Sequence, residues 1–141
     1  MIPADLLFRW SMWQKQLPKV KELKVKRCIK VPGIENTEFA LHHLCDASEL
    51  GYGVVSYLRS DDFHGNFSCS LLMAKSRLAP IKTIKIPRLE LSAVALTVKL
   101  DKLICAELDI KLCHTWFWTD SSIVLSYINN ADKRFKTFVA N

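Results

Sequence analysis

The chain has 141 residues, of which 50% are hydrophobic and 24% charged, and its formal net charge is +6. This composition is typical of a single folded domain with a sizeable core, and it excludes a disordered chain. No apolar run approaches the ~18 residues that cross a membrane, and the first residues lack the pattern of a signal peptide, so we expect an intracellular protein. The basic charge permits a polyanionic partner.

The five cysteines are scattered, and no two of them form a Cys-x-x-Cys pair. An odd number of cysteines without a secretion signal favours reduced thiols over disulfides or a zinc site. We therefore assign no chemistry to Cys28, Cys45, Cys69, Cys105 and Cys113.

Residues 1–34 are expected to form a helical and basic connecting segment. Its apolar residues recur at helical spacing until Pro18 interrupts them, namely Leu6, Leu7, Trp10, Trp13 and Leu17. From Val20 to Arg27 lysines alternate with apolar residues, which suits either a short edge strand or an exposed helix. Val31-Pro32-Gly33 then punctuates the chain, so we expect a second unit at residues 35–141.

Three antiparallel strands joined by hairpins are predicted next. Residues 39–45 alternate in polarity as a strand does, and this strand ends at Asp46. Residues 49–53 are expected to turn the chain, and residues 54–58 are rich in β-formers. A turn at residues 60–66 then leads to a third strand at residues 67–74.

A basic loop and a long helix follow these strands. The loop is expected at residues 75–86, broken by Pro80, whereas Pro87 fits the first turn of a helix. This helix is predicted to run to about Leu108 and to pack against the sheet. Its buried stripe is predicted to be Leu89, Ala93, Leu96, Leu100 and Leu103.

The last elements bring a further acidic residue to a strand end. Residues 115–118 are predicted as a fourth strand, parallel to the first because a helical crossover connects them. It ends at Asp120, which is also a candidate N-cap for a helix from Ser122 to Asn129. Residues 136–140 are a candidate fifth strand.

Three carboxylates lie beside apolar residues, at strand ends or in the first turn of a helix: Asp46, Glu90 and Asp120. Acids that converge on one sheet edge would repel one another unless cations lay between them. Carboxylate oxygens favour Mg²⁺ or Mn²⁺. From spacing alone, each acid also has an ordinary structural interpretation. Asp46 would be a turn residue, Glu90 an acid in the first turn of a helix and Asp120 an N-cap.

The histidines and tryptophans have simpler interpretations. His42 and His43 lie within a strand and are expected to be core or surface residues, and His64 is expected to be a solvated turn residue. The four tryptophans are expected to belong to the core, unless Trp10 or Trp13 is exposed and packs on a neighbouring domain.

Five ordered blocks resemble the ribonuclease H region of BEL/Pao-type LTR retrotransposon polyproteins. They are Cys45–Glu49 with Gly51-Tyr52-Gly53, Ala74–Pro80, Ile86–Leu91, Phe117–Ser121 and Lys136–Asn141. The resemblance covers residues 38–141, and the segment before them is similar to the connection after the reverse transcriptase. It implies an α/β fold of ribonuclease H type, with a mixed sheet of three antiparallel strands, a helix and a parallel fourth strand, truncated at the C-terminus.

The same resemblance implies a function. Asp46, Glu90 and Asp120 would be ligands of two Mg²⁺ or Mn²⁺ ions in an endonuclease that cleaves RNA in RNA–DNA hybrids during reverse transcription. The phosphates would be held by the basic residues Lys75, Arg77, Lys82, Lys85 and Arg88. The expected partners are the hybrid and the adjacent reverse transcriptase and integrase parts of a polyprotein, in a cytoplasmic virus-like particle or in the nucleus.

Two alternatives to this enzyme stay open. The family's fourth carboxylate lies on a later segment and no residue here matches it, so we expect a polyprotein fragment or a degenerate copy. An incomplete ribonuclease H fold that binds or tethers nucleic acid is one alternative. An aspartic peptidase of retroviral type is disfavoured, because neither Asp46 nor Asp120 is followed by the glycine that its loops need.

Overall fold

The computed structural model describes residues 3–24, 38–62 and 64–130. In chain order the elements are α1 (Ala4–Gln16), a 3₁₀ helix (Leu17–Glu22), β1 (Glu38–Ala47), β2 (Gly51–Asp61), β3 (Phe67–Leu78), α2 (Ile86–Glu107), β4 (His114–Trp118) and α3 (Ser122–Ile128). The strands form one sheet in the order β3-β2-β1-β4. β1 pairs antiparallel with β2 and parallel with β4, and β2 pairs antiparallel with β3. The predicted mixed α/β sheet is confirmed.

The leading segment is helical up to Glu22. α1 ends at Gln16, and Pro18 lies in the first turn of the 3₁₀ helix that continues it. The helical alternative is therefore correct for residues 20–22, whereas residues 25–27 and the domain boundary predicted near residue 35 lie outside the described residues. No residue of either helix is buried.

β2 and β3 are longer than predicted. Gly51 pairs with Leu78 and Gly53 with Ser76, so the turn predicted at residues 49–53 and the loop predicted from residue 75 were both wrong in part. A Cβ atom at Gly51 would lie 2.6 Å from the carbonyl oxygen of Arg77. The glycines here permit a close approach of two strands rather than a turn.

α2 packs against β1 and β2, and their apolar side chains form the core. As predicted, Pro87 lies in the first turn, and Leu89, Ala93, Leu96 and Leu100 are buried. Ile104 continues the stripe instead of the predicted Leu103, because a residue four positions after Leu100 lies on the same helix face. Each fully buried leucine stabilises the fold by roughly 1.5–3 kcal/mol.

The two faces of the sheet differ in what covers them. We call the face that contacts α2 the inner face and the opposite one the outer face. Trp116 and Trp118 lie on the outer face and are 51% and 52% exposed. Trp10 and Trp13 are equally exposed and stack on each other, so the prediction of core tryptophans was wrong. In β4 the strand alternation turns both tryptophans away from α2.

Two further predictions concern residues outside the described parts of the chain: the thiol of Cys28 and the fifth strand at residues 136–140. Cys45, Cys69, Cys105 and Cys113 are free thiols. Within the described ranges, none of the helices combines the length and the apolar character needed to cross a membrane.

Candidate metal-binding cleft

Asp46 and Asp120 lie level with each other at the carboxyl ends of two neighbouring parallel strands. Leu44 of β1 pairs with Trp118 of β4, and each aspartate follows two residues later. Both aspartates are exposed. Oδ1 of Asp46 accepts a hydrogen bond from the backbone N–H of Ala47 at 2.6 Å. The carboxyl end of a parallel strand pair is a common place for ligands, so the position fits a binding site.

Asp120 does not cap α3, and that prediction was wrong. Ser121 is the N-cap, because its Oγ accepts the backbone N–H of Val124 at 3.2 Å. The N–H of Ser121 in turn donates to Oγ1 of Thr119 at 3.2 Å. The helix runs to Ile128 rather than Asn129. The carboxylate of Asp120 is therefore exposed beside the cap rather than engaged as the cap.

Glu90 reaches the same region through Ser121. It lies in the second turn of α2, because the helix begins at Ile86 and its first turn contains no acidic residue, so the predicted first-turn position was wrong. The Ser121 hydroxyl donates to Oε2 of Glu90 at 2.6 Å. The Glu90 carboxylate is thus held by the residue that directly follows Asp120.

A cleft of about 1110 Å³ opens at this end of the sheet. Its lining includes Asp46 and Asp120 on one side and Lys75 and Arg77 of β3 on the other. Gly53 pairs with Asp46 and with Ser76, so it lies between the acidic and the basic strand. Since it carries no side chain, the floor of the cleft stays open between them. Lys75 pairs with the buried Val54 and so belongs to the inner face, whereas Asp46 pairs with Gly53 on the outer face. The cations and this carboxylate therefore line the cleft from different faces of the sheet.

The five predicted basic residues do not form one group. Lys75 and Arg77 are exposed on a strand, not on the predicted loop, and line the cleft. Lys82 and Lys85 lie between β3 and α2, and Arg88 lies in the first turn of α2; all three are exposed, and none of them is a lining residue of the cleft.

Both aspartates act electrostatically on the thiol of Cys45. Burial raises its pKa, hydrogen bonds to Thr97 and Thr119 lower it, and the negative charges of Asp120 and Asp46 raise it. Its Sγ contacts the carbonyl oxygen of Trp118 at 3.5 Å. Both carboxylates therefore act on one group, which stays protonated and offers no thiolate at neutral pH.

The chain also matches a known protein family. A family model, the Pao retrotransposon-like RNaseH-like domain, matches residues 1–121 of the chain. The chain belongs to this family. No curated protein matches the chain. The match begins at residue 1, so the Pao family model spans the leading helix as well as the sheet and the three acids.

Sequence reasoning for this Pao-family chain named three metal ligands, and the structure brings them together only in part. Asp46 shares the outer face with His42 and Leu44, whereas Glu90 belongs to α2 on the inner face. Among the described residues, no three His, Cys, Asp or Glu side chains are grouped closely enough to hold a metal ion. Carboxylate oxygens nevertheless fit Mg²⁺ or Mn²⁺ in chemistry, and the shared metal site stays a prediction.

His43 confirms its interpretation as a core residue. Its Nδ1 lies 2.7 Å from Oγ of Ser56, and its Nε2 lies 3.1 Å from Oδ1 of Asp101. The ring also stacks on Phe117. His43 and Ser56 are fully buried, so this Ser-His-Asp arrangement joins β1, β2 and α2 but is closed to a substrate.

Ser121 is the N-cap of α3 and the partner of Glu90, and neither contact was predicted from the sequence. The available signal was a serine two residues before the apolar turn Ile123-Val124-Leu125, because serine is a favoured N-cap residue. No local sequence pattern predicts the hydrogen bond from Ser121 to Glu90, because the two residues lie 31 positions apart in the chain.

Proposed function

We propose that this chain is a ribonuclease H-type endonuclease that hydrolyses the RNA strand of RNA–DNA hybrids with Mg²⁺ or Mn²⁺. The observation that carries the proposal is the pairing of Leu44 with Trp118, which sets Asp46 and Asp120 side by side in a cleft that also contains Lys75 and Arg77. Membership in a retrotransposon family with an RNaseH-like domain supports the same reaction.

In this proposal the acidic residues bind metal and the basic residues bind the nucleic acid. Asp46, Glu90 and Asp120 would hold the metal ions through their carboxylate oxygens. When bound, the ions supply an activated water and stabilise the leaving oxygen of the phosphodiester. Lys75 and Arg77 bind phosphates of the hybrid. The 2′-hydroxyl and the minor-groove shape of the hybrid distinguish it from duplex DNA.

A second candidate function is nucleic-acid binding without cleavage. One observation favours it: the described residues contain no group of three possible metal ligands. The cations of the cleft would then act alone, as a binding or tethering surface.

The test is cleavage of a labelled RNA strand annealed to DNA, in Mg²⁺ and in Mn²⁺. The chain is compared with Asp46→Asn, which keeps the size of the side chain but removes its charge. Asp109→Asn is the matched control, since Asp109 is exposed and lies beyond α2, at the end of the sheet where β4 begins. We expect metal-dependent cleavage by the chain and the control, and only background cleavage by Asp46→Asn.

Binding of the same hybrid separates the two candidates. If neither the chain nor its variants cleave but all bind, the enzyme proposal fails and the binding module stands. If Asp46→Asn cleaves as fast as the chain, Asp46 is not a metal ligand.

A further inference from the structure

Ser121 connects two of the residues that we propose to bind metal. It follows Asp120 directly in the chain, and its hydroxyl donates to Oε2 of Glu90 at 2.6 Å. Such a short O–H···O contact is typical of a bond to an ionised carboxylate, which is about twice as strong as a neutral one. Ser121 is 6% exposed, so little water competes for this bond.

The position of Ser121 is itself fixed by its backbone and by α3. Its N–H donates to Thr119 Oγ1, its hydroxyl oxygen accepts from the N–H of Val124, and its carbonyl accepts from the N–H of Leu125 at 3.0 Å. Only the bond from Val124 uses the hydroxyl group, and it uses the oxygen, so the hydroxyl proton is left for Glu90. The start of α3 therefore determines where the Glu90 carboxylate lies.

We propose that Ser121 is a positioning residue that holds the Glu90 carboxylate beside Asp120 for binding of Mg²⁺ or Mn²⁺. This inference rests on the proposed function, in which Glu90 and Asp120 are metal ligands. A glutamate without such a partner must lose rotamer freedom when metal binds, and that entropy opposes binding. Loss of a hydrogen-bond partner of a metal ligand typically weakens metal binding about 10–100-fold.

The test measures the affinity of the metal-free chain for Mn²⁺ by electron paramagnetic resonance of the free ion. We expect Ser121→Ala to bind Mn²⁺ about tenfold more weakly. Ser121→Thr retains the hydroxyl and should bind almost as the unchanged chain does. The matched control is Ser122→Ala, at the exposed first residue of α3, and it should leave the affinity unchanged.

A second variant separates positioning from helix capping. Ser121→Gly lacks the hydroxyl, but glycine is well tolerated at an N-cap, so its melting temperature should stay close to that of the unchanged chain. Its Mn²⁺ affinity should nevertheless fall as far as that of Ser121→Ala. In a Glu90→Gln background, Ser121→Ala should weaken Mn²⁺ binding much less, because the two residues act through one contact.

Two results would overturn the inference in distinguishable ways. If Ser121→Ala and Ser121→Gly bind Mn²⁺ normally while Ser121→Ala melts at a lower temperature, Ser121 is only a cap and the proposed function stands. If the unchanged chain binds no Mn²⁺ at millimolar concentration, the metal-dependent function fails, and the role of Ser121 fails with it.

Discussion

The inner and outer faces of β1 differ in burial and in the chemistry of their side chains. On β1, Leu41 and His43 face α2 and are fully buried. Between them and beyond them, His42, Leu44 and Asp46 face the other side, where Leu44 is 43% exposed and Asp46 lines the cleft. The inner face of β1 therefore stabilises the fold, whereas the outer face presents Asp46 of the candidate site at its carboxyl end. This difference can be tested by paired substitutions one residue or a few residues apart.

The largest expected effect is on the inner face, at Leu41. Leu41→Ala should lower the free energy of unfolding by about 3 kcal/mol, because it leaves a cavity in the core. Leu44→Ala, the matched change on the outer face, should cost less than about 1 kcal/mol. Urea denaturation followed by circular dichroism measures both. Equal losses would mean that the outer face is also packed and that the comparison is wrong.

A smaller effect is expected when the buried histidine loses its polar partners. His43→Leu leaves Ser56 and Asp101 without the ring that joins them, and it should cost roughly 2 kcal/mol. His42→Leu removes the acceptor of the Trp118 indole N–H and the ring that stacks on Trp118, but on the exposed face, so it should cost well under half of that. Denaturation curves of the two variants make the comparison. If His42→Leu were the more damaging change, His43 would not be the structural tie.

The two faces were also unequally predictable from the sequence. Alternation in β1 and the helical spacing from Leu89 to Leu100 predicted the inner face, because burial imposes those periods on the sequence. The same patterns failed at Gly51 and at Trp116. A glycine is ambiguous between a turn and a close strand approach, and an aromatic residue is read as core even where nothing among the described residues covers it.

The sequence predicted which residues belong to the candidate site, but it did not predict how their side chains contact one another. Asp46 and Asp120 could be placed at neighbouring strand ends, because a helical crossover implies parallel strands. The contact of Glu90 with Ser121 depends on how α2 meets the start of α3, and local sequence does not encode such a contact between distant segments.

The smallest expected effect distinguishes two thiols on opposite faces. Cys45 faces inward and its pKa is raised chiefly by burial, whereas Cys69 is exposed on β3. A raised pKa leaves less thiolate at a given pH, so alkylation by iodoacetamide at pH 8 should modify Cys69 several-fold faster than Cys45. Peptide mass spectrometry over time measures both rates. Faster modification of Cys45 would show that its side of β1 is open to solvent.

The central claim is that the acidic end of the sheet binds a divalent metal ion, and Mn²⁺-induced broadening of backbone amide signals in nuclear magnetic resonance tests it most directly. We expect the signals of Asp46, Glu90 and Asp120 to broaden first, at the lowest Mn²⁺ concentrations. Signals of the β2–β3 hairpin at Gly65, roughly 25 Å away along the strands, should stay sharp. Broadening centred on that hairpin, or spread evenly over the chain, would contradict the claim.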